Sequence, residues 1–526
     1  MPHATRTTPL AAPVTELHER ILARLAAWKP TRVMVIGDYM LDQHVYGAAE
    51  RLSPDAPVPV LMAGDPRDIR ESPGGASNVA SCLRAFEAEV CCFGIVGGDP
   101  EGESLNRHLT ALGCDVQGMI VDPSRPTTVK RSLIGLAQHR HPQKMFRLDF
   151  ESREPLGRAV SERLLGSILA ALADADVVCI EDYNKGVCST TTCQTVIAEA
   201  RKRGIPVIVD PASIEDYGRY RGATAITPNR SEAELATGMA TPLDASVEHN
   251  ARLAARLLGD AHLDAVVLTL DRHGALLLER NGEPLHVPTV ARKVYDVTGA
   301  GDMVLAALAV ARANGFAWDE AVAFANAAAG LEVEVFGAQP IPLSSVRRSI
   351  LALAGHLTGK RRSLADLRVE LAAHRDVGHR IVLTNGCFDV IHAGHVAYLR
   401  EARQQGDVLV VGVNADEEVR RQKGAGRPIF NEQERLEILA ELHCVDYLVL
   451  FSEPTAHDLM RAVRPHIYVK GGDYRPEQVN EYDLVRELGI EMRLLTHRPG
   501  LGSTSIVERI RKLETATVVD RSGATS

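Results

Sequence analysis

The chain has 526 residues, too many for one ordinary domain, so two or three are expected. Hydrophobic residues make up 45% and charged residues 24%, enough for ordinary globular cores, while a net charge of -9 without a dense Lys/Arg stripe excludes a general nucleic-acid binder. No apolar run reaches the roughly 20 residues of a membrane span, and Glu16, Glu19 and Arg20 interrupt any signal-peptide core.

The nine cysteines are scattered without a Cys-x-x-Cys pair, which reads as reduced, buried thiols of a cytoplasmic protein rather than disulfides or zinc ligands. Residues 1–12 read as disordered and 14–28 as an amphipathic helix within an N-terminal extension, 1–30. From Arg32 short apolar strands at 33–37, 177–181, 206–210, 223–227 and 266–270 alternate with helical segments. That alternation predicts an α/β domain over 31–345, with a mostly parallel sheet and ligands at its strands' carboxyl ends. Residues 41–62 and 125–150 lack helical spacing and predict a small antiparallel β lid.

After Pro340-Ile341-Pro342, the basic segment 346–379 with Lys360-Arg361-Arg362 predicts a solvated helical linker. A second alternating series, with strands at 381–385, 408–414, 447–451, 467–470 and 491–495, predicts a Rossmann-like α/β domain over 380–512. Residues 513–526 read as a disordered tail.

Chemistry concentrates in a few strings. Tyr295-Asp296-Val297-Thr298-Gly299-Ala300-Gly301-Asp302 runs into an apolar helix. Small residues at a helix start leave N–H groups and the positive dipole end open to a phosphate, and Asp302 is placed to accept a hydroxyl proton. A tight glycine turn capped by Asp is the plain alternative. Asp38 follows the first strand, where it would bond sugar hydroxyls or cap a helix. Pro73-Gly74-Gly75-Ala76-Ser77-Asn78 is a glycine turn into a helix, suited to holding a polyol near the backbone.

With Thr227-Pro228-Asn229-Arg230-Ser231-Glu232, these motifs resemble the ribokinase-like sugar kinases. The resemblance implies Asp302 as base, with Gly299, Ala300 and Gly301 as anion hole. It places Asn229 and Glu232 beside the ATP phosphates, with Glu232 on Mg²⁺, and Asn326 in the adenine pocket. Asp38, Gly74, Gly75 and Asn78 would hold the sugar. Arg51-Leu52-Ser53-Pro54, Arg147-Leu148-Asp149 and Asp182-Tyr183-Asn184-Lys185-Gly186 narrow the resemblance to heptose-phosphate kinases of bacterial lipopolysaccharide synthesis. A phosphorylated sugar needs cations, and Lys185, Arg147 and Lys130 are candidates, each otherwise a surface charge. Ala212-Ser213 stand where those kinases carry a Lys.

In the second domain, Thr384-Asn385-Gly386-Cys387-Phe388-Asp389 leads into His392-Ala393-Gly394-His395. The two imidazoles share one face of a helix start. They would donate to a triphosphate or, with a third ligand, hold a metal. Cys387 reads as a packing residue. The string resembles the His-x-Gly-His nucleotidyltransferases of the cytidylyltransferase-like superfamily. That resemblance implies His392, His395 and Lys423 as catalytic groups. Thr384, Asn385, Gly386, Lys470, Gly471, Gly472, Ser503 and Thr504 would be nucleotide contacts, with Asn414 at a strand end near substrate or nucleotide.

Both domains, in order, resemble the bifunctional heptose-7-phosphate kinase and heptose-1-phosphate adenylyltransferase family. The resemblance implies two ATP- and Mg²⁺-dependent steps toward ADP-heptose in a cytoplasmic homodimer, with sugar phosphates as its small-molecule partners and neither nucleic acid nor membrane. The same folds making another nucleoside-diphosphate sugar, or one decayed domain serving dimerisation or regulation, are the alternatives.

Overall fold

A computed structural model of the chain describes residues 11–65, 68–136, 142–242, 245–289, 294, 297–335, 337–355, 359–472 and 475–495. Two compact units divide at Val346 and Arg347. The expectations for residues 1–10, Tyr295, Asp296, Ser503, Thr504 and the tail lie outside the described residues.

In the first unit β1 (Arg32–Gly37) is followed by β2 (Tyr39–Leu52), β3 (Pro59–Met62), β4 (Ile69–Gly75), β5 (Glu89–Val96) and β6 (Asp115–Val121). Next come β7 (Thr128–Leu136), β8 (Gln143–Phe150), β9 (Val177–Glu181) and β10 (Val207–Asp210). The last are β11 (Ala225–Ile226), β12 (Ala265–Thr269), β13 (Ala275–Glu279) and β14 (Leu285–Val287). Nine of these form one sheet in the order β14-β13-β12-β11-β10-β9-β1-β5-β6, parallel except where β13 joins β12 and β14. Val33, Met34, Val35 and Ile36 are all buried, the unbroken apolar run of a parallel strand covered on both faces. The order reverses at β1, which lies between β9 and β5. Such a switch point leaves a crevice beyond the strands' carboxyl ends, where Asp38, Glu181 and Asp210 stand.

The lid is a second sheet, β3-β2-β7-β8 with β4 on β2. Its pairs β2–β3, β2–β4 and β7–β8 are antiparallel as expected, but the sheet is mixed, because β2 and β7 pair in parallel from Met40–Thr128 to Ala48–Leu136. Between them the chain passes through β4, β5, β6 and two helices, and such a crossover returns a strand parallel where a hairpin would reverse it. The lid also absorbs residues 69–75, whose Pro and Gly residues read only as a turn. Register puts Asp42 beside Lys130, and Lys130 beside Asp149, on one face; Arg147, opposite Ser132, shares it. Gln43, Arg131, Leu148 and Phe150 lie on the other.

The second unit is a five-stranded parallel sheet. Its strands are β15 (Ile381–Gly386), β16 (Val408–Asn414), β17 (Tyr447–Phe451), β18 (Ile467–Gly471) and β19 (Glu491–Leu495), in the order β17-β16-β15-β18-β19.

The basic segment is not a solvated linker. The helix Leu364–Asp376, capped by Ser363, buries Leu367 and Leu371 in one core with Ile381, Val408 and Tyr447. Ahead of it, Leu448 donates to the Lys360 carbonyl at 2.8 Å and Arg362 N–H to the Leu448 carbonyl at 2.9 Å, prolonging the sheet at the β17 edge. Arg362 is buried against Glu370, which also accepts the Tyr447 hydroxyl at 2.6 Å. The charge run hides an apolar stripe whose one buried cation has a buried partner.

A fragment beginning at Arg347 should therefore unfold cooperatively in denaturant. One beginning at Leu367 strips Arg362 from buried Glu370 and should lose about 3–5 kcal/mol of stability. Equal midpoints for the two fragments would refute this account of the connector.

Candidate active sites

In the first unit, Asp38 is 2% exposed and its Oδ2 accepts the backbone N–H groups of Tyr183 at 2.9 Å and Lys185 at 3.0 Å. Its Oδ1 has no partner among the described residues. Burial, then neighbouring Asp182, pushes this carboxyl up to about 6. Asp42, on lid strand β2 and acting electrostatically on Asp302, likewise has an Oδ1 without a partner among the described residues. A Cβ at Gly74 would lie 2.7 Å from that oxygen, so any larger residue at this point of β4 would displace the carboxylate. Gly75 has φ +52 and starts the helix Ala76–Ala85, which carries Asn78.

Gly299, at φ +93, begins the helix Ala300–Ala313 with no side-chain cap among the described residues. The first-turn amides are therefore open to an anion. Asp302 sits in that turn, buried, with Oδ2 accepting Asn78 Nδ2 at 2.7 Å and Oδ1 accepting the Tyr183 hydroxyl at 3.3 Å. Burial pushes Asp302 up to about 6, against the lowering effects of Asn78, Lys130 and Tyr183. Lys130 reaches over the lid to stand 4.6 Å from the Tyr183 ring centre. The motif thus places a buried carboxylate in the first turn of a helix without a side-chain cap among the described residues.

Carboxylate oxygens of Asp302, Glu181 and Asp210 lie within 4.8 Å of one another. Burial first raises the proton affinity of Glu181 and Asp210, followed by Asp210 and Asp302 acting on Glu181 and Glu232 acting on Asp210, and Glu181 Oε2 has no hydrogen-bond partner among the described residues. A hard divalent cation suits such oxygens. Sequence reasoning assigned Glu232 alone to the metal and missed Glu181 and Asp210. The available signal was an acid closing each of two buried parallel strands. Glu232 also closes a capping box, with Asn229 N–H donating to its Oε2 at 2.9 Å and Asn229 Oδ1 accepting Glu232 N–H at 3.0 Å, and its charge acts on both Asp210 and Glu181. Ser213, in the expected Lys position, donates to Glu232 at 3.4 Å.

The expected phosphate cations are less open than the sequence suggests. Lys185 is buried with its ammonium on Glu151. Arg147 is largely exposed on β8 and grips Asp149 through two bonds of 2.8 Å. Asn326 donates to the Pro288 carbonyl, beside residues 290–293, which lie outside the described residues.

In the second unit, His392 caps the helix Ala393–Arg403, its Nδ1 accepting Gly394 N–H at 3.1 Å. That bond keeps the proton of a neutral ring on Nε2, as a donor. The His392 and His395 rings stack at 3.9 Å, and Phe388, at φ +46, packs edge-on against His395. Among the described residues no third ligand joins the two imidazoles. They line a cavity of about 900 Å³ with Asn385, Gly386, Lys423, Lys470 and Gly471.

Lys470 Nζ donates to Asn385 Oδ1 at 3.0 Å and the Tyr468 hydroxyl at 2.9 Å, and Glu481 lies 3.5 Å away. A Cβ at Gly471 would meet the Tyr398 ring at 2.8 Å, and Gly472 has φ +140. Thr384 departs from its expected role: it is fully buried under the cavity, bonded to Tyr398 at 2.6 Å. Sequence reading also gave no role to Arg435. Fully buried, it donates to the Cys387 carbonyl at 2.5 Å and to Asp416 at 2.7 Å, and so fixes the turn beneath the site.

The pfkB family of carbohydrate kinases matches residues 30–345, and the cytidylyltransferase-like family residues 383–509. Curated relatives match across both. The bifunctional protein HldE of Geobacter metallireducens is 43% identical over 477 residues, 91% of this chain and 95% of the relative. That of Geotalea uraniireducens is 42% identical over 484 residues, 91% of this chain and 96% of the relative. Among solved structures, phosphofructokinase-2 from Escherichia coli aligns over 62% of this chain and 100% of its own, at 18% identity and TM-score 0.51, a likeness of fold.

Proposed function

The chain belongs to the HldE family of bifunctional proteins, and on that premise we propose two separated steps toward ADP-heptose. The first unit phosphorylates C1 of D-glycero-β-D-manno-heptose 7-phosphate from ATP. After a separate phosphatase removes the 7-phosphate, the second unit transfers AMP from ATP to heptose 1-phosphate and releases pyrophosphate. The observation that carries this reading is the pairing, in one chain, of Asp302 at an uncapped helix start with a stacked histidine pair beside Lys470.

In the kinase step the C1 hydroxyl passes its proton to Asp302 while its oxygen bonds to the γ-phosphorus and ADP departs. Amides of Ala300 and Gly301 face the charge on the transferred group, and Asp38, Asp42 and Asn78 orient the sugar. Glu181 and Asp210 are the residues that would hold Mg²⁺, which neutralises triphosphate charge when bound. In the transferase step the acceptor phosphate is already ionised, so charge stabilisation matters more than a base. His392, His395, Lys423 and Lys470 supply it.

No helix among the described residues is long and apolar enough to cross a membrane, and ATP use at both sites supports a cytoplasmic enzyme. A homodimer is supported by Phe146, Leu148 and Phe150, alternate residues of the lid's edge strand that are 61%, 41% and 44% exposed.

Three measurements test this reading. Asp302→Asn should lower 1-phosphorylation about 10²–10⁴-fold and spare adenylyl transfer, whereas His392→Ala or His395→Ala should do the reverse. A kinase of normal turnover in Asp302→Asn would mean that the base lies elsewhere.

Asp302 must be ionised to accept a proton, so kinase kcat/KM should fall as pH drops below about 6. Asn78 favours the ionised form, and Asn78→Ala should move this limb to higher pH without touching the transferase profile. A limb that stays in place would count against Asp302 as the titrating group.

Light scattering should report a dimer for the wild type and a monomer for Phe146→Ser/Leu148→Ser. A wild-type monomer would remove the lid from any role in assembly.

A further inference from the structure

Tyr183 touches three parts of the kinase unit at once. Its backbone N–H donates to Asp38 Oδ2 at 2.9 Å, and its hydroxyl donates to Asp302 Oδ1 at 3.3 Å. Lys130, from lid strand β7, holds its ammonium 4.6 Å from the centre of the same ring. The backbone here is pinned, because the Asp182 carboxylate accepts the Tyr220 hydroxyl at 2.6 Å, Arg219 at 3.1 Å and the Asn184 N–H at 2.7 Å. The side chain has fewer ties. Among the described residues its hydroxyl has Asp302 as sole hydrogen-bond partner, and its ring has Lys130 as sole cation.

Asp302 Oδ2 is occupied by Asn78 Nδ2 at 2.7 Å, so Oδ1 is the more loosely held oxygen and the one left to take the C1 proton. At 3.3 Å the Tyr183 bond is long for a hydroxyl on a carboxylate, which leaves room for it to tighten when substrate binds. Asp42 and Lys130 stand directly opposite each other on β2 and β7. The lid residue that orients the sugar and the one that caps Tyr183 therefore move as one pair. We propose that Lys130 and Tyr183 form a clamp that couples the lid to the catalytic base. A sugar that draws Asp42 onto the crevice seats Lys130 on the Tyr183 ring, and the seated ring directs its hydroxyl to Asp302. This rests on the kinase reading of the first unit.

The clamp gives Lys130 a role other than phosphate ligand, since a cation is attracted to a tyrosine face whether or not a phosphate is present. Both are positioning residues, because neither touches the reacting atoms. With the lid displaced, Lys130 leaves the ring and Oδ1 loses the donor that orients it. The base is then aligned only when a sugar fills the crevice. Water offers no polyol to draw Asp42 in, so the clamp also disfavours phosphoryl transfer to water. Lys130 acts on Asp302 directly by charge as well, against the like charge of Asp42, and Glu181 and Asp210 crowd the same carboxylate. That through-space action is the rival route, and a mutant cycle separates the two.

The test uses the full chain and measures the rate of heptose 7-phosphate phosphorylation. Both tryptophans, Trp28 and Trp318, lie in the first unit, so their fluorescence checks its folding in each variant. Tyr183→Phe keeps the ring and should lower kcat about 10–100-fold, the worth of a hydrogen bond to a charged group, with KM for sugar and ATP nearly unchanged. Lys130→Met should lower kcat about 3–30-fold, and Lys130→Arg, which restores a cation over the ring, should recover most of it. The double variant Lys130→Met/Tyr183→Phe should be no slower than Tyr183→Phe, because Lys130 acts through the hydroxyl. Losses that multiply would show Lys130 acting on Asp302 by charge alone and would overturn the clamp. A raised KM for the sugar phosphate with kcat intact in Lys130→Met, the signature of a phosphate ligand, would overturn it too. Asp302→Asn, assayed beside them, judges the base separately. If it is inactive while Tyr183→Phe turns over normally, the clamp falls and the base stands; if Asp302→Asn itself turns over normally, the base falls and the clamp with it.

Discussion

Glu181, Asp210 and Asp302 crowd their carboxylates together in a buried crevice, and the cost of that crowding organises the kinase unit. Burial disfavours the ionised forms, and each neighbour disfavours them further. The fold offsets this with donors it can place accurately: Asn78 and Tyr183 on Asp302, and Thr227 on Asp210 at 2.8 Å. The uncapped helix start adds a fixed positive end. What remains uncompensated, Glu181 Oε2 among it, is negative charge of the kind a hard divalent cation would offset.

The transferase unit solves the inverse problem. Lys470 is an ammonium held in a wall that penalises its charge, and burial lowers its proton affinity. Glu481, Asn385 and the Tyr468 hydroxyl hold it in place. Beneath it, Arg435 and Asp389 fix the turns on either side of the signature: Asp389 pairs with Arg427 and accepts Ile429 N–H at 2.5 Å. Breaking one partner of such buried pairs costs several kcal/mol, so these charges rigidify a turn that already carries Phe388 at positive φ.

Charge was also the cue that misled. Lys360-Arg361-Arg362 looks like solvated linker, but the segment prolongs a sheet edge and inserts Leu367 and Leu371 into a core. Lys185 looks like a free phosphate ligand and is spent on Glu151. Thr384 stands in the right motif but is fully buried beneath the cavity, its hydroxyl bonded to Tyr398.

The sequence by itself determined the two α/β units, five of the nine strands of the first sheet, all five of the second and the motifs at their carboxyl ends. Those depend on local periodicity and on glycines at positive φ, which leave marks within a few residues. Gly299-Ala300-Gly301-Asp302 is legible through Gly299 at φ +93, and His392-Ala393-Gly394-His395 through the strand and turn that lead into it. Only the tertiary structure decided that Glu181 and Asp210 join Asp302, residues separated by up to 121 positions yet brought within 4.8 Å. It likewise decided that the lid strands β2 and β7 run parallel, and that Glu481 stands against Lys470. Partnership between charges depends on distance in space, and a strand-end acid looks the same in sequence whether it meets solvent, a lysine or two other acids.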